Sequence, residues 1–572
     1  MIKKKSKTIN IMLSGAAGQG IETIEKILSD AVKNSGLFTF SSKEIMSRIR
    51  GGLNSLLIRI SDSPKSAYIK TPDLLFSLKK GGINRLDKRI SDKTMIFYDS
   101  DKEKTKKTYN NMVSLDIENL KGDVEEKLFS NTAVCGYICS YLNFDKDICL
   151  KVVENIFAEK SPEKNRKAFL NGYSSCENKS ENLNISELIK TSHKNNYTLN
   201  GSQALGLGAL AGGCDFISSY PMSPSTGVLI FLAEHGKEHG VFVEQAEDEI
   251  SAINMSLGAW YAGARALITT SGGGFALMEE GLSLSGITET PCVIHVSQRP
   301  GPGTGLPTRT EQGDLNLVLY GGHGDFPRVI LSPGNASQCF EIASKAFDIA
   351  DKFQVPVIIL TDQFLVDSTF TEQNISNRDI NIDNRKYITD SKEDYKRYKI
   401  SEDGISERKL PGYGKGLVRV DSDEHTEYGE ITEDFSVRIA QVEKRMNKLK
   451  DMKGFSIPPE LIGKEDYKDL IVCWGSNYGL AKELIENSEN SDLSALHFSQ
   501  VYPIPDEAYN YLKNAERIII LENNYTGQFG ELLKKNFDID IYKKVLRFDG
   551  LPFCLEDTTE FLNQILKGGN DE

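Results

Sequence analysis

The residues best suited to chemistry cluster between 218 and 315. The run Glu244-Gln245-Ala246-Glu247-Asp248-Glu249 heads a stretch of helix-forming residues carrying Ser251, Ala252, Ser256, Gly258, Ala259, Ala262, Gly263 and Ala264. Small side chains let a helix lie close to a neighbour or a cofactor. A carboxylate at the head of such a helix either complements the helix dipole at the surface or acts as a functional acid. The density of the acidic run favours the surface for most of its members, but not necessarily for all. Upstream, Tyr220-Pro221-Met222-Ser223-Pro224-Ser225-Thr226 follows an apolar run and precedes a helical one. Its hydroxyls and free N–H groups suit a carboxylate ligand, while N-capping by Ser225 or Thr226 explains them equally well. Downstream, Gln298-Arg299-Pro300-Gly301-Pro302-Gly303-Thr304-Gly305-Leu306-Pro307-Thr308 is a loop that no core requires. Its Arg and Thr make it a place to recognise a small acid.

Other motifs carry less. Gly15, Gly18 and Gly20 follow an apolar run and open a helical pattern, so they fit either a phosphate cradle or a tight turn. They lack the dinucleotide-binding order, and no Lys-Ser/Thr pair completes a Walker loop. Ser47-Arg48-Ile49-Arg50-Gly51-Gly52 reads as an anion clamp or as a solvated turn. His235, Glu238 and His239 match H-x-x-E-H, but Gly236 and Gly240 interrupt the helix that motif needs, so the expectation is a surface helix end with no metal. The nine cysteines include no C-x-x-C pair. The chain is therefore expected to hold neither an iron–sulfur cluster nor a structural zinc. Cys135 and Cys139 should share one helix face.

The elements that must position these residues follow from hydrophobic pattern. Short apolar runs alternating with helical stretches predict α/β domains. INIML (9–13), LLIRI (56–60), DLLFSL (73–78) and TMIFYD (94–99) fall in a first domain, 1–176, with a parallel or mixed sheet. A polar linker, 177–199, follows. DFISSY, VFVEQ, RALITTS, PCVIHVS, RVILS and PVIILTD are the strands expected of a second domain, 200–370. Residues 371–458 form a charged excursion ending in an amphipathic helix, SVRIAQVEKRMNKLK. A third domain, 459–572, contains DLIVCW and ERIIILENN.

Composition bounds the class. Of 572 residues 39% are hydrophobic and 26% charged, ordinary for a globular chain of three or four domains. The net charge is −13, from 68 Lys and Arg against 81 Asp and Glu, which argues against a nucleic-acid binder. No apolar run approaches the ~20 residues that span a bilayer, and Ile11-Met12-Leu13 is too short for a signal-peptide core. The expectation is a cytoplasmic protein with no membrane partner.

YPMSPST, EQAEDEISAINMSLGAWYAGARALITTSGGG and QRPGPGTGLPTRTEQGDL resemble the α subunit of the 2-oxoacid:ferredoxin oxidoreductases, which are thiamine diphosphate enzymes. SGAAGQGIE and SRIRGGLNS resemble the family's γ subunit, here fused ahead of α. GISERKLPGYG, DSDEHTEYGEITED and ENNYTGQFGELL are also similar to the fused type. The likeness spans nearly the whole chain and implies a γ-like α/β domain, a pyrimidine-binding transketolase-like domain and a transketolase C-terminal-like domain. It implies half an active site. A separate β subunit would carry the diphosphate, Mg²⁺ and a [4Fe-4S] cluster, and this chain has no GDG…N motif for them. The pair would work as (αβ)₂ with ferredoxin and coenzyme A. The implied reaction is oxidative decarboxylation of a 2-oxo acid to acyl-CoA and CO₂.

By the same resemblance, Glu249 meets the cofactor's pyrimidine nitrogen as the catalytic carboxyl, and Tyr220 and Pro221 lie beside the cofactor. Ser223, where the family usually has Thr in YPxTP, together with Arg299 and Thr308, meets the substrate. Gly18, Gln19, Arg48 and Arg50 are candidates for coenzyme A. The QRPGPGTGLPT loop with the γ–α fusion leans toward 2-oxoglutarate. Pyruvate or a branched-chain 2-oxo acid is the enzymatic alternative, and a non-catalytic scaffold or nucleotide-binding subunit the alternative of another class.

Overall fold

The computed structural model describes residues 7–16, 20–46, 52–126, 129–177, 183, 196–373, 375 and 387–567. Among these, strands form three sheets of eight, seven and five members, with helices between them. The chain divides into two compact units, one from residues 1–200, 367–375 and 554–572, the other from 201–366 and 376–553.

The first unit is built on the eight-stranded mixed sheet. Its strand Thr8–Ala16 runs antiparallel to Leu53–Ser61 and parallel to Leu74–Ser77, and Met95–Tyr98 extends the parallel side. The four apolar runs of the sequence lie on these four strands. Phe38–Glu44 is a further strand, outside the runs expected from sequence, with Phe38 and Phe40 buried. Tyr197–Asn200, at the end of the polar stretch, pairs with Thr369–Glu372, which in turn pairs with Phe38–Glu44. Backbone pairing joins these short strands, and the buried rings of Phe40 and Phe370 meet across it with centroids 5.3 Å apart. Helix Ile21–Asn34 buries Ile24, Ile27, Leu28, Ala31 and Val32 on one face. Cys135 and Cys139 are fully buried in helix Ser130–Tyr141. The helix Leu555–Leu566 also belongs to this unit, where Glu556 accepts from the amides of Lys70 and Thr71 at 3.0 and 3.1 Å.

The second unit holds the other two sheets. Cys292–Gln298 and Pro356–Asp362 are buried along their whole length, the signature of parallel strands covered on both faces. One core joins the sheets, with Ile268, Ile294 and Ile358 in the same cluster as Leu470, Val472, Leu496 and Ile520. The charged stretch described from 387 packs on this body through charge. Helix Phe435–Gly454 turns Gln441, Lys444, Arg445, Lys448 and Met452 inward. The Nζ atoms of Lys444 and Lys448 each lie 2.6 Å from the carboxylate of Glu289. The expected amphipathic helix is present, but its buried stripe is mostly polar.

Candidate active site

Four neighbouring strands of the seven-stranded sheet set the site: Cys292–Gln298, Ala266–Thr270, Phe216–Ser219 and Phe242–Gln245. They are parallel, so the chain leaves all four on the same edge, where α/β sheets bind ligands. Arg299 follows the first, helix Gly272–Leu277 the second, Tyr220 and Pro221 the third, and Glu249 lies four residues beyond the last.

Asp248 starts helix Glu249–Ala262, its Oδ1 accepting from the Ser251 amide at 2.7 Å. Ser218 Oγ donates to the Ala252 carbonyl at 2.7 Å and ties the helix to the sheet. Glu249 is the buried carboxylate of its acidic run, 3% exposed, whereas Glu244 and Asp248 are half-buried and Glu247 is exposed. Its Oε1 has no hydrogen-bond partner among the described residues. Leaving a buried acceptor unmade costs about 1–3 kcal/mol. Burial pushes its pKa above the usual glutamate range, and the charge of Asp248 adds to that, against its own backbone N–H. Gly274 makes the room: a Cβ there would lie 2.5 Å from Glu249 Oε1 and 2.1 Å from Thr270 Oγ1.

Arg299 is half-buried and Nη1 donates to the Ser223 carbonyl at 2.8 Å, so two of the substrate candidates are brought together. Burial lowers the Arg299 pKa and the charge of Asp314 opposes that shift. Ser223 is exposed. Ser225 begins helix Thr226–His235, but its hydroxyl donates back to the Met222 carbonyl at 2.7 Å instead of capping the helix. Tyr220 is exposed and Pro221 half-buried on the same strand end. The Arg299 loop closes through Leu306 N to Pro300 O at 3.1 Å, with half-buried Thr308 two residues further on. Gly305 has φ +51° and a Cβ there would lie 1.8 Å from the Pro300 carbonyl, so only glycine permits that closure.

Two residues at this edge were not singled out from sequence. Asp314 lies against Gly272, and burial pushes its pKa up to about 6, with Arg299 pulling the other way. Glu311 is pushed up to about 7 by burial and by Asp314. They sit in TEQGD, directly after the substrate loop, and that adjacency was the available signal. Gly18, Gln19, Arg48 and Arg50 lie outside the described residues. His235, Glu238 and His239 are exposed, and no group of three or more potential metal ligands occurs among the described residues.

A ligand that offers a hydrogen-bonding nitrogen edge, as an aminopyrimidine does, matches the chemistry of the buried Glu249 oxygen that no described residue bonds.

The family described as the thiamine diphosphate-binding part of pyruvate flavodoxin/ferredoxin oxidoreductase matches residues 207–444. That described as pyruvate ferredoxin/flavodoxin oxidoreductase matches residues 10–175. The chain is 30% identical to the 2-oxoacid:ferredoxin oxidoreductase subunit alpha of Saccharolobus solfataricus, over 98% of each protein. It is 31% identical to the 2-oxoglutarate synthase subunit KorA of Methanocaldococcus jannaschii, over 57% of this chain and 88% of that one. The structure of 2-oxoglutarate:ferredoxin oxidoreductase from Magnetococcus marinus with 2-oxoglutarate, coenzyme A and succinyl-CoA bound matches at a TM-score of 0.91 and 28% identity. That match covers 98% of this chain and 99% of the other.

Proposed function

The chain belongs to the 2-oxoacid:ferredoxin oxidoreductases as an alpha subunit, and on that premise we propose that its acid is 2-oxoglutarate and that a separate β subunit completes its active site. The M. jannaschii and M. marinus relatives, both named for 2-oxoglutarate, support that choice of substrate. The observation that carries the reading of the site is Glu249 Oε1, buried beside Gly274 without a partner among the described residues.

Thiamine diphosphate, when bound, supplies a nucleophilic carbon and an electron sink, so that the bond to the carboxylate can break. Glu249 is proposed to hold a proton at Oε1 and share it with the ring nitrogen of the aminopyrimidine, as its raised pKa favours. Tyr220 and Pro221, at the end of Phe216–Ser219, would lie beside the ring. Arg299 binds the 1-carboxylate of the 2-oxo acid, since a guanidinium fork matches a carboxylate. The Ser223 and Thr308 hydroxyls orient it. The 2-oxo acid gives up CO₂ and two electrons, which leave one at a time for ferredoxin, and coenzyme A takes the acyl group. The β subunit would hold Mg²⁺ and the [4Fe-4S] cluster, in an (αβ)₂ assembly. Gly18, Gln19, Arg48 and Arg50 are proposed for coenzyme A on the sequence alone.

The test is anaerobic reduction of a viologen dye with thiamine diphosphate, Mg²⁺ and coenzyme A, with and without the β chain. The panel is 2-oxoglutarate, pyruvate and 2-oxoisovalerate. Reduction only with both chains, fastest on 2-oxoglutarate, is the expected result. A faster rate on another acid overturns the substrate, and reduction by this chain alone overturns the shared site.

A further inference from the structure

Gln298 closes the loop that carries Arg299 and Thr308 at its base. It is the last residue of strand Cys292–Gln298, has no exposed surface and directly precedes Arg299. Its Nε2 donates to the Thr361 carbonyl on the neighbouring strand Pro356–Asp362 at 3.0 Å. Its Oε1 accepts from the Asp314 amide at 2.9 Å, sixteen residues further along the chain. One uncharged side chain, bonded through both its donor and its acceptor, therefore spans the mouth of the loop. Glutamine suits this place because a single neutral amide offers both kinds of group, whereas an ionised carboxylate only accepts.

The two legs of the loop are held by different sheets. The outgoing leg continues a buried strand of the seven-stranded sheet. The returning leg is bonded to the loops of the five-stranded sheet. There Gln312 is wholly buried, its Nε2 donating to the Trp474 carbonyl at 3.0 Å and its Oε1 accepting from Asn477 Nδ2 at 2.9 Å and the Asn523 amide at 3.0 Å. The Gln312 amide donates to the Asn523 carbonyl at 2.7 Å, and Gln528 Nε2 donates to the Gly313 carbonyl at 2.8 Å. Each leg thus keeps its place without Gln298. What Gln298 adds is the spacing between the legs, and that spacing sets where the loop presents its side chains. Arg299, the next residue, is steadied on its other side by the bond from Nη1 to the Ser223 carbonyl at 2.8 Å. We propose that Gln298 is a positioning residue that acts through Arg299. Its amide fixes the mouth of the loop, so that the guanidinium is in place before the 2-oxo acid arrives and binding does not have to order the loop. This rests on the reading of Arg299 as the partner of the acid's carboxylate.

The test compares wild type, Gln298→Met, Gln298→Glu, Arg299→Ala and the double variant Gln298→Met with Arg299→Ala, each assembled with the β subunit. KM and kcat for 2-oxoglutarate are read at about pH 6, where burial keeps the carboxyl of Gln298→Glu protonated. Gln298→Met keeps the length of the side chain and loses both bonds, so KM should rise about tenfold with kcat nearly unchanged, the scale of one buried hydrogen bond left unmade. In the Arg299→Ala background the same substitution should leave KM where it is, because the group it misplaces is gone. A general defect of the fold would instead add in both backgrounds. Gln298→Glu, with one donor and one acceptor while protonated, should restore KM to near the parental value. If Gln298→Met does not assemble, Gln298→Asn replaces it, keeping the amide but falling one methylene short of its partners. Parental KM in the shortened or apolar variant, an equal rise in KM with and without the Arg299 side chain, or a Gln298→Glu enzyme as impaired as Gln298→Met overturns the inference. If Arg299→Ala itself leaves KM unchanged, the substrate reading fails first.

Discussion

Glu249 and Glu289 are two buried glutamates of the same unit, 3% and 1% exposed, each at a helix end. Their surroundings differ completely. Glu289 meets Lys444 and Lys448, with Arg397 donating to its backbone carbonyl at 2.8 Å, and these cations hold its pKa far below the usual range despite burial. Glu249 meets a glycine and a threonine, and burial raises its pKa. A buried charge that two cations pair is structural. A buried carboxyl with an oxygen that no described residue bonds is the kind of group that binding and catalytic sites keep.

The largest expected effect breaks the structural member of the pair. Glu289→Ala leaves Lys444 and Lys448 facing each other in the core and should cost about 3–5 kcal/mol, read by chemical denaturation. The sign with pH follows from the lowered pKa. The stabilisation from Glu289 is present above the ordinary glutamate range and is lost as pH falls through its depressed value, so wild type and variant should converge only in strong acid.

Arg299→Ala should raise KM for the 2-oxo acid about tenfold or more, roughly one charge-assisted hydrogen bond, in steady-state assays of the assembled enzyme. An unchanged KM would remove Arg299 from the substrate pocket. Ser223→Ala should have a smaller effect, about threefold in kcat/KM, because a neutral hydroxyl contributes less than a guanidinium.

The smallest effect is on stability and has the opposite sign to that at Glu289. The Glu249 pKa is raised, so its favourable contribution is complete below the ordinary glutamate range and is lost as pH rises through the folded value. Glu249→Gln should therefore make the isolated chain slightly more stable at pH 7.5, with the difference closing toward pH 4. A destabilised variant at pH 7.5 would move Glu249 into the structural class with Glu289.

The sequence exposes these two regions unequally. PCVIHVS and PVIILTD read as strands because a strand covered on both faces must be apolar throughout, and the loops that follow them inherit their place on the sheet edge. Glu249 stands out from Glu244, Glu247 and Asp248 through family likeness, since in composition all four are surface acids. SVRIAQVEKRMNKLK reads as an amphipathic helix, with nothing to say that Lys444 and Lys448 are on its buried face, because the partner that justifies their burial is 155 residues away from Lys444 in sequence. Asp314 was hidden for a related reason. Nothing in TEQGDL says that a glycine from another strand end will receive the carboxyl. Phe38–Glu44 and Tyr197–Asn200 escaped because each has only two large apolar residues, too few to announce a strand without the neighbours that pair with it.

The most direct test of the account is turnover of the enzyme assembled from this chain carrying Glu249→Gln and a wild-type β subunit, beside the parent enzyme and beside Glu289→Gln. The account predicts that Glu249→Gln assembles normally and loses about a hundredfold or more of its rate of 2-oxoglutarate-dependent dye reduction, the scale of one acid–base contribution. Glu289→Gln should lose stability first, and its rate only with the folded fraction. Near-parental turnover in Glu249→Gln would contradict the central claim.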